Sequence, residues 1–99
     1  MLALRPNCEC CNRDLAPDSA DAMICSFECT FCRDCAEGVL QNTCPNCGGE
    51  LVRRPVRPAE KRVNSPASTE RVYKPLTGAR LEKHAAYVSR YRGIDPAKR

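Results

Sequence analysis

The chain has 99 residues, with 16 Lys/Arg against 12 Asp/Glu for a formal charge of +4, and only 17 Leu, Ile, Val and Phe with no Trp. That is below the roughly 20% at which a chain folds on apolar burial alone. A large enzyme core, a doubly wound nucleotide-binding sheet and a membrane span of about 20 apolar residues are excluded.

From the N-terminus, residues 1–7 read Met-Leu-Ala-Leu-Arg-Pro-Asn, without the apolar stretch or cleavage signal of an export sequence. A cytoplasmic, reducing location is therefore expected. All nine cysteines follow within residues 8–47. In a reducing compartment, and with an odd count, such a set points to metal rather than disulfides. Residues 1–57 form the cysteine-rich unit, which Arg53-Arg54-Pro55-Val56-Arg57-Pro58 closes, since closely spaced prolines break regular structure. Residues 58–76, with Pro66, Pro75 and several small polar residues, read as a disordered linker. Residues 77–99 are a basic tail with a short helix over about 78–92. Thr77 is its expected N-cap, and Gly93 and Pro96 end it. Leu81, Ala85 and Val88 mark one side of this helix, with Tyr87 and Tyr91 beside them.

Charge divides the same way. Residues 1–57 hold six Arg and eight acids, net −2, whereas residues 58–99 hold ten Lys/Arg and four acids, net +6. Two zinc ions on eight thiolates would take the first part to about −6, so the tail is free to fold back on it or to contact another anion.

Four cysteine pairs carry the chemistry: Cys8/Cys11, Cys25/Cys29, Cys32/Cys35 and Cys44/Cys47. Two sulfurs on a tight turn converge on one ion, and eight sulfurs complete two four-thiolate zinc sites, two ions per chain. Closed sites of this kind are structural, with no position left for water or substrate. Spacing alone leaves two pairings open, one joining neighbouring pairs and one crossing them. The crossed scheme ties distant segments together, which suits so poor a core. Cys10 is left over, either a spare ligand or a surface thiol crowded out of a filled site.

The segments Cys29-Thr30-Phe31-Cys32-Arg33-Asp34-Cys35 and Cys44-Pro45-Asn46-Cys47 resemble the RING-finger cross-brace, with Cys29 in place of the usual histidine. The resemblance covers residues 8–52. It implies a small zinc-stabilised α+β domain of RING-like, treble-clef type, with a C4C4 ligand set. Site 1 would then hold Cys8, Cys11, Cys32 and Cys35, and site 2 Cys25, Cys29, Cys44 and Cys47. A short helix is implied at 36–40, and two short strands at 22–24 and 50–52. The stretches Asn7-Cys8-Glu9-Cys10-Cys11, Ile24–Cys32 and Cys44–Leu51 also resemble the bacterial family grouped as domain of unknown function 1272 over residues 1–57. That resemblance implies a bacterial setting and the cysteine-rich fold, but no reaction.

Ubiquitin-ligase activity is not expected. Cys10, Val39 and Gly48 stand where ligase RINGs carry an apolar residue, an aromatic residue and a basic residue. The leading reading is a non-enzymatic zinc-binding module that presents a rigid surface to a protein partner, away from membranes. One alternative is nucleic-acid binding through Arg80, Lys83, Arg90 and Arg92, with Tyr87 and Tyr91 stacking on bases. Another is a redox- or zinc-responsive switch. His84, the single histidine, is expected to be solvent-exposed. Phe27 and Phe31, with Ile24, Leu40 and Leu51, are expected to form the minimal core.

Overall fold

A computed structural model describes residues 1–99. Three short strands, β1 (Ala22–Ile24), β2 (Thr30–Cys32) and β3 (Val52–Arg53), form one antiparallel sheet in the order β2-β1-β3. Two strands were expected from the resemblance, and the additional one is β2. Thr30 and Phe31 suit a half-buried pleated surface and pair with Ile24 and Met23 of β1. The ligand-bearing stretch is therefore itself a strand. In the β1–β2 hairpin loop the Cys25 N–H donates to the Cys29 carbonyl and Glu28 adopts a left-handed φ of 67°.

The first helix, α1 (Arg33–Glu37), begins three residues before the expected position. Its start is fixed by a cysteine sulfur. Cys32 is the N-cap, and its Sγ accepts the Cys35 N–H at 3.4 Å. Sulfur thereby satisfies one of the orphan donors of the first turn. Gly38 stops the helix, donating to the Asp34 carbonyl at 2.9 Å.

The core comprises Leu15, Ala22, Phe31, Ala36, Leu40 and Leu51 together with Cys8, Cys25, Cys32 and Cys44. Four of these ten residues are cysteines, so apolar packing runs directly into the sulfur clusters. Phe27 does not join it. At the tip of the hairpin loop it is 72% exposed, because the tight turn that converges Cys25 and Cys29 turns the intervening side chains outward.

Residues 58–76 contain the one-turn helix α2 (Ala59–Arg62) and then run back along the N-terminal segment. Ser68 donates to the Leu4 carbonyl, Lys74 to that of Glu9, and the Asn7 side chain bonds both backbone groups of Val72. Arg71 reaches Asp14 and Asn12. Arg54, read from sequence as part of a boundary, is 1% exposed and donates to the carbonyls of Arg5 and Ala16 at 2.9 and 3.1 Å. Arg57 similarly joins Leu2 to Ser65. These hydrogen bonds do the work that an apolar core of this size cannot.

The long helix α3 (Gly78–Tyr91) follows Thr77, whose side chain makes no capping bond. It docks on the cysteine unit, with Arg80 and Lys83 bonded to Asn46, His84 to the Leu40 carbonyl, and Tyr87 and Tyr91 against Gly48. Leu81, expected on the buried side, is 48% exposed, and Ala85 is exposed as well. His84, expected in solvent, is 3% exposed, with Nε2 2.9 Å from the Leu40 carbonyl. The side facing the cysteine unit is chosen by what waits there. The Leu40 carbonyl, which also accepts the Thr43 N–H, and the bare backbone at Gly48 match an imidazole and two tyrosine rings better than an aliphatic stripe. No helix is long and apolar enough to cross a membrane.

Candidate metal centres

The Sγ atoms of Cys8, Cys11, Cys32 and Cys35 all lie within 4.8 Å of one another. Cys11 and Cys32, from two different segments, approach to 3.7 Å. Four sulfurs at the zinc–thiolate bond length of about 2.3 Å, disposed tetrahedrally, stand about 3.8 Å apart. The donor set and its spacing thus fit a divalent ion.

The second cluster joins Cys25, Cys44 and Cys47, again within 4.8 Å. Cys29, the expected fourth member, stands at its edge. Its Sγ accepts from Asn46 Nδ2 at 3.2 Å. In both clusters the turns supply backbone donors to sulfur. Asn46 N–H reaches Cys44 Sγ, and Gly49 N–H reaches Cys47 Sγ, each at 3.4 Å. Such bonds favour the thiolate.

All nine cysteines are free thiols. Without an ion their proton affinities diverge strongly. Burial pushes Cys8 and Cys25 up to about 11. Cys35 is raised by burial and by its bond with Cys32, and Cys44 by its bond with Cys29 and then by burial. Cys29 is lowered to about 6, chiefly by the hydrogen bond from Cys44. Burial acts on Cys11 too, but hydrogen bonds led by the Arg13 backbone outweigh it and lower the thiol. This is the behaviour of packed sulfurs that share protons because they cannot all be anions together. A divalent cation resolves the conflict by replacing the protons.

Cys10 lies half-buried beside the first cluster. Burial raises its thiol, opposed by a hydrogen bond with Cys35 and by the charge of Arg80. Asn46, inside the last cysteine turn, is a residue that motif reading passed over. Its Nδ2 donates to Cys29 Sγ and to Glu9 Oε1, while its Oδ1 accepts Arg80 Nη1 at 2.8 Å. Glu9, also passed over, is buried. It accepts the Thr30 N–H at 2.9 Å and pairs with Arg5 at 3.4 Å. Nothing in the spacing of polar residues announces either one. Only their position between cysteines marks them.

The four basic residues named as nucleic-acid contacts are not brought together on one open face. Arg80 and Lys83 bind the side chain and carbonyl of Asn46. Arg90 lies over the rings of Tyr87 and Tyr91, and Arg92 is exposed. The two tyrosines stack on each other, with centroids 6.1 Å apart, and press on Gly48.

A family model described as "Protein of unknown function (DUF1272)" matches residues 1–57, the segment that carries every cysteine. An uncharacterised protein of Rhizobium meliloti (strain 1021) is 75% identical over 75 residues, which are 76% of this chain and 89% of the relative. No solved structure matches.

Proposed function

We propose that this chain, which belongs to the DUF1272 family, is a non-enzymatic two-zinc module whose metal centres hold a small surface rigid for a protein partner. The observation that carries the reading is the sorting of the sulfurs. Cysteines from alternate pairs along the chain meet in each cluster, which supports a RING-like cross-brace. Cys8, Cys11, Cys32 and Cys35 would hold one ion, and Cys25, Cys44, Cys47 and Cys29 the other. Zinc is favoured over other first-row ions by an all-thiolate donor set with tetrahedral spacing. Bound there, it supplies folding free energy and no open coordination position.

The partner surface in this reading is the outer side of the β1–β2 hairpin. Phe27 projects from the loop, with half-buried Ile24 and 49%-exposed Val52 beside the same sheet edge. Large apolar side chains held on a metal-tied turn have lost their entropy before any partner arrives, which favours binding. The protein-partner reading is preferred to nucleic acid because Tyr87, Tyr91, Arg80 and Lys83 are already engaged with the chain's own cysteine turn.

Native mass spectrometry of protein purified without added metal is the test of the metal, and two ions per chain are expected. Capture from host lysate, with and without chelator and with Phe27→Ser, is the test of the surface. The captured set should shrink in both perturbed samples. An identical set after metal removal would refute the reading.

A further inference from the structure

Arg80 is the least explained charge in the molecule. It projects from the first turns of α3 into the cysteine unit, where Nη1 donates to Asn46 Oδ1 at 2.8 Å. Its other two nitrogens, Nε and Nη2, are buried without a hydrogen-bond partner. A guanidinium in that position has been taken out of water and given one neutral acceptor. Such a cation is retained where negative charge offsets its desolvation.

The surroundings supply that charge. Asn46 passes the contact onward, its Nδ2 donating to Cys29 Sγ at the edge of the second cluster at 3.2 Å and to the buried carboxylate of Glu9 at 3.4 Å. With a divalent ion held by four thiolates, that centre carries a formal −2. Lys83 reaches the Asn46 carbonyl, and Arg5 is paired with Glu9. Arg80 is thus the tail cation linked through the Asn46 side chain to the second centre.

We propose that Arg80, held by Asn46, is a positioning residue of the second metal centre: it offsets that centre's negative charge from outside the ligand set and slows the loss of metal. The basic tail in this account is an internal counterion for the cysteine unit. The inference rests on the two-metal reading above. It deepens that reading by giving the tail helix a task in metal retention.

The full-length chain loaded with zinc is the sample, and the readout is the rate of zinc transfer to a chromophoric chelator. Arg80→Met keeps the apolar stem and removes the charge, so transfer should speed up about tenfold or more, the usual scale for outer partners of metal ligands. Arg80→Lys restores a cation and should return the rate to within about threefold of wild type. Arg92→Met, an equal change of net charge at an exposed position, should leave the rate unaltered. The Arg80 effect should persist in 0.5 M salt, because buried donors are poorly screened. In cobalt-loaded protein, Arg80→Met should also shift the thiolate-to-metal charge-transfer band to lower energy, since sulfur loses a hydrogen-bonding influence.

Two ions bound, with Arg80→Met releasing zinc no faster than Arg92→Met, would overturn the proposal and leave the metal reading standing. So would Arg80→Lys releasing as fast as Arg80→Met. A wild-type chain that binds no metal overturns both.

Discussion

Gly48 is where the tail helix and the cysteine unit come closest, and replacing it with alanine separates metal binding from helix docking. Gly48 has φ of +77°, and a Cβ there would lie 2.8 Å from Tyr87 Cδ1 and 2.9 Å from Tyr91 Cε2. The left-handed backbone costs a non-glycine residue about 1–2 kcal/mol whether or not α3 is docked. Displacing both rings forfeits aromatic packing of about 0.5–1.5 kcal/mol, and this part falls on docking alone. The docked state of α3 should therefore weaken by about 0.5–1.5 kcal/mol, a loss of roughly 2- to 13-fold in the docked-to-undocked ratio. The Gly48 N–H bond to the Cys44 carbonyl at 2.8 Å is available to alanine. Two ions should remain bound. Amide exchange along α3, with tyrosine emission as a second probe, reads the docking. Native mass spectrometry of the same sample counts the ions. Gly93→Ala is the control, because Gly93 has φ of +72° but nothing within 4 Å of a Cβ. It should lower stability by the backbone cost alone and leave the tyrosines in place. Unchanged α3 protection in Gly48→Ala would refute the packing argument. Metal loss that precedes undocking would show that this turn does not separate the two functions.

Four further outcomes follow from the same geometry. Chelation should remove most tertiary structure, since each structural zinc site contributes about 10–16 kcal/mol of apparent binding free energy, and near-ultraviolet circular dichroism with amide exchange would report it. The pH dependence should differ between the two states. The loaded protein should weaken as pH falls, because protons compete with metal for the thiolates. In the metal-free fold the thiols of Cys8 and Cys25, raised by burial to about 11, contribute stability that is present below about pH 9 and lost between about 9 and 11, whereas Cys29, lowered to about 6, contributes stability that is lost as pH falls from about 9 to 6. Denaturant midpoints across pH, with and without chelator, check these signs. Arg54→Met should destabilise the loaded chain by about 2 kcal/mol, because the carbonyls of Arg5 and Ala16 lose a buried charged donor. Thermal melting at fixed zinc measures it, and an unchanged midpoint would refute the bridging role. Phe27→Ser should change stability by no more than about 0.5 kcal/mol, as expected for a surface side chain.

Family membership over residues 1–57 was legible in the cysteine turns, because their chemistry depends on residue type and short spacing alone. The two clusters were legible for a related reason. A poor apolar core and nine cysteines leave metal as the means of folding, and only a few partitions of four pairs are possible. Local arithmetic of this kind ends at the boundary of each turn. It placed Phe27 inside and His84 outside, the reverse of the structure, because burial depends on which surface meets which. It assigned no strand to Thr30–Cys32, because strand pairing with β1 is a non-local contact. It also left open whether residues 77–99 dock. That was decided by a match between distant groups, with tyrosine rings against a glycine backbone, imidazole against the Leu40 carbonyl, and Arg80 against Asn46. None of these partners is near the other in the chain. Residue type and spacing pointed to groups of sulfurs that could hold a metal. Only the tertiary structure decided which of its own surfaces cover the site, because complementarity is a property of pairs of surfaces and not of either sequence segment alone.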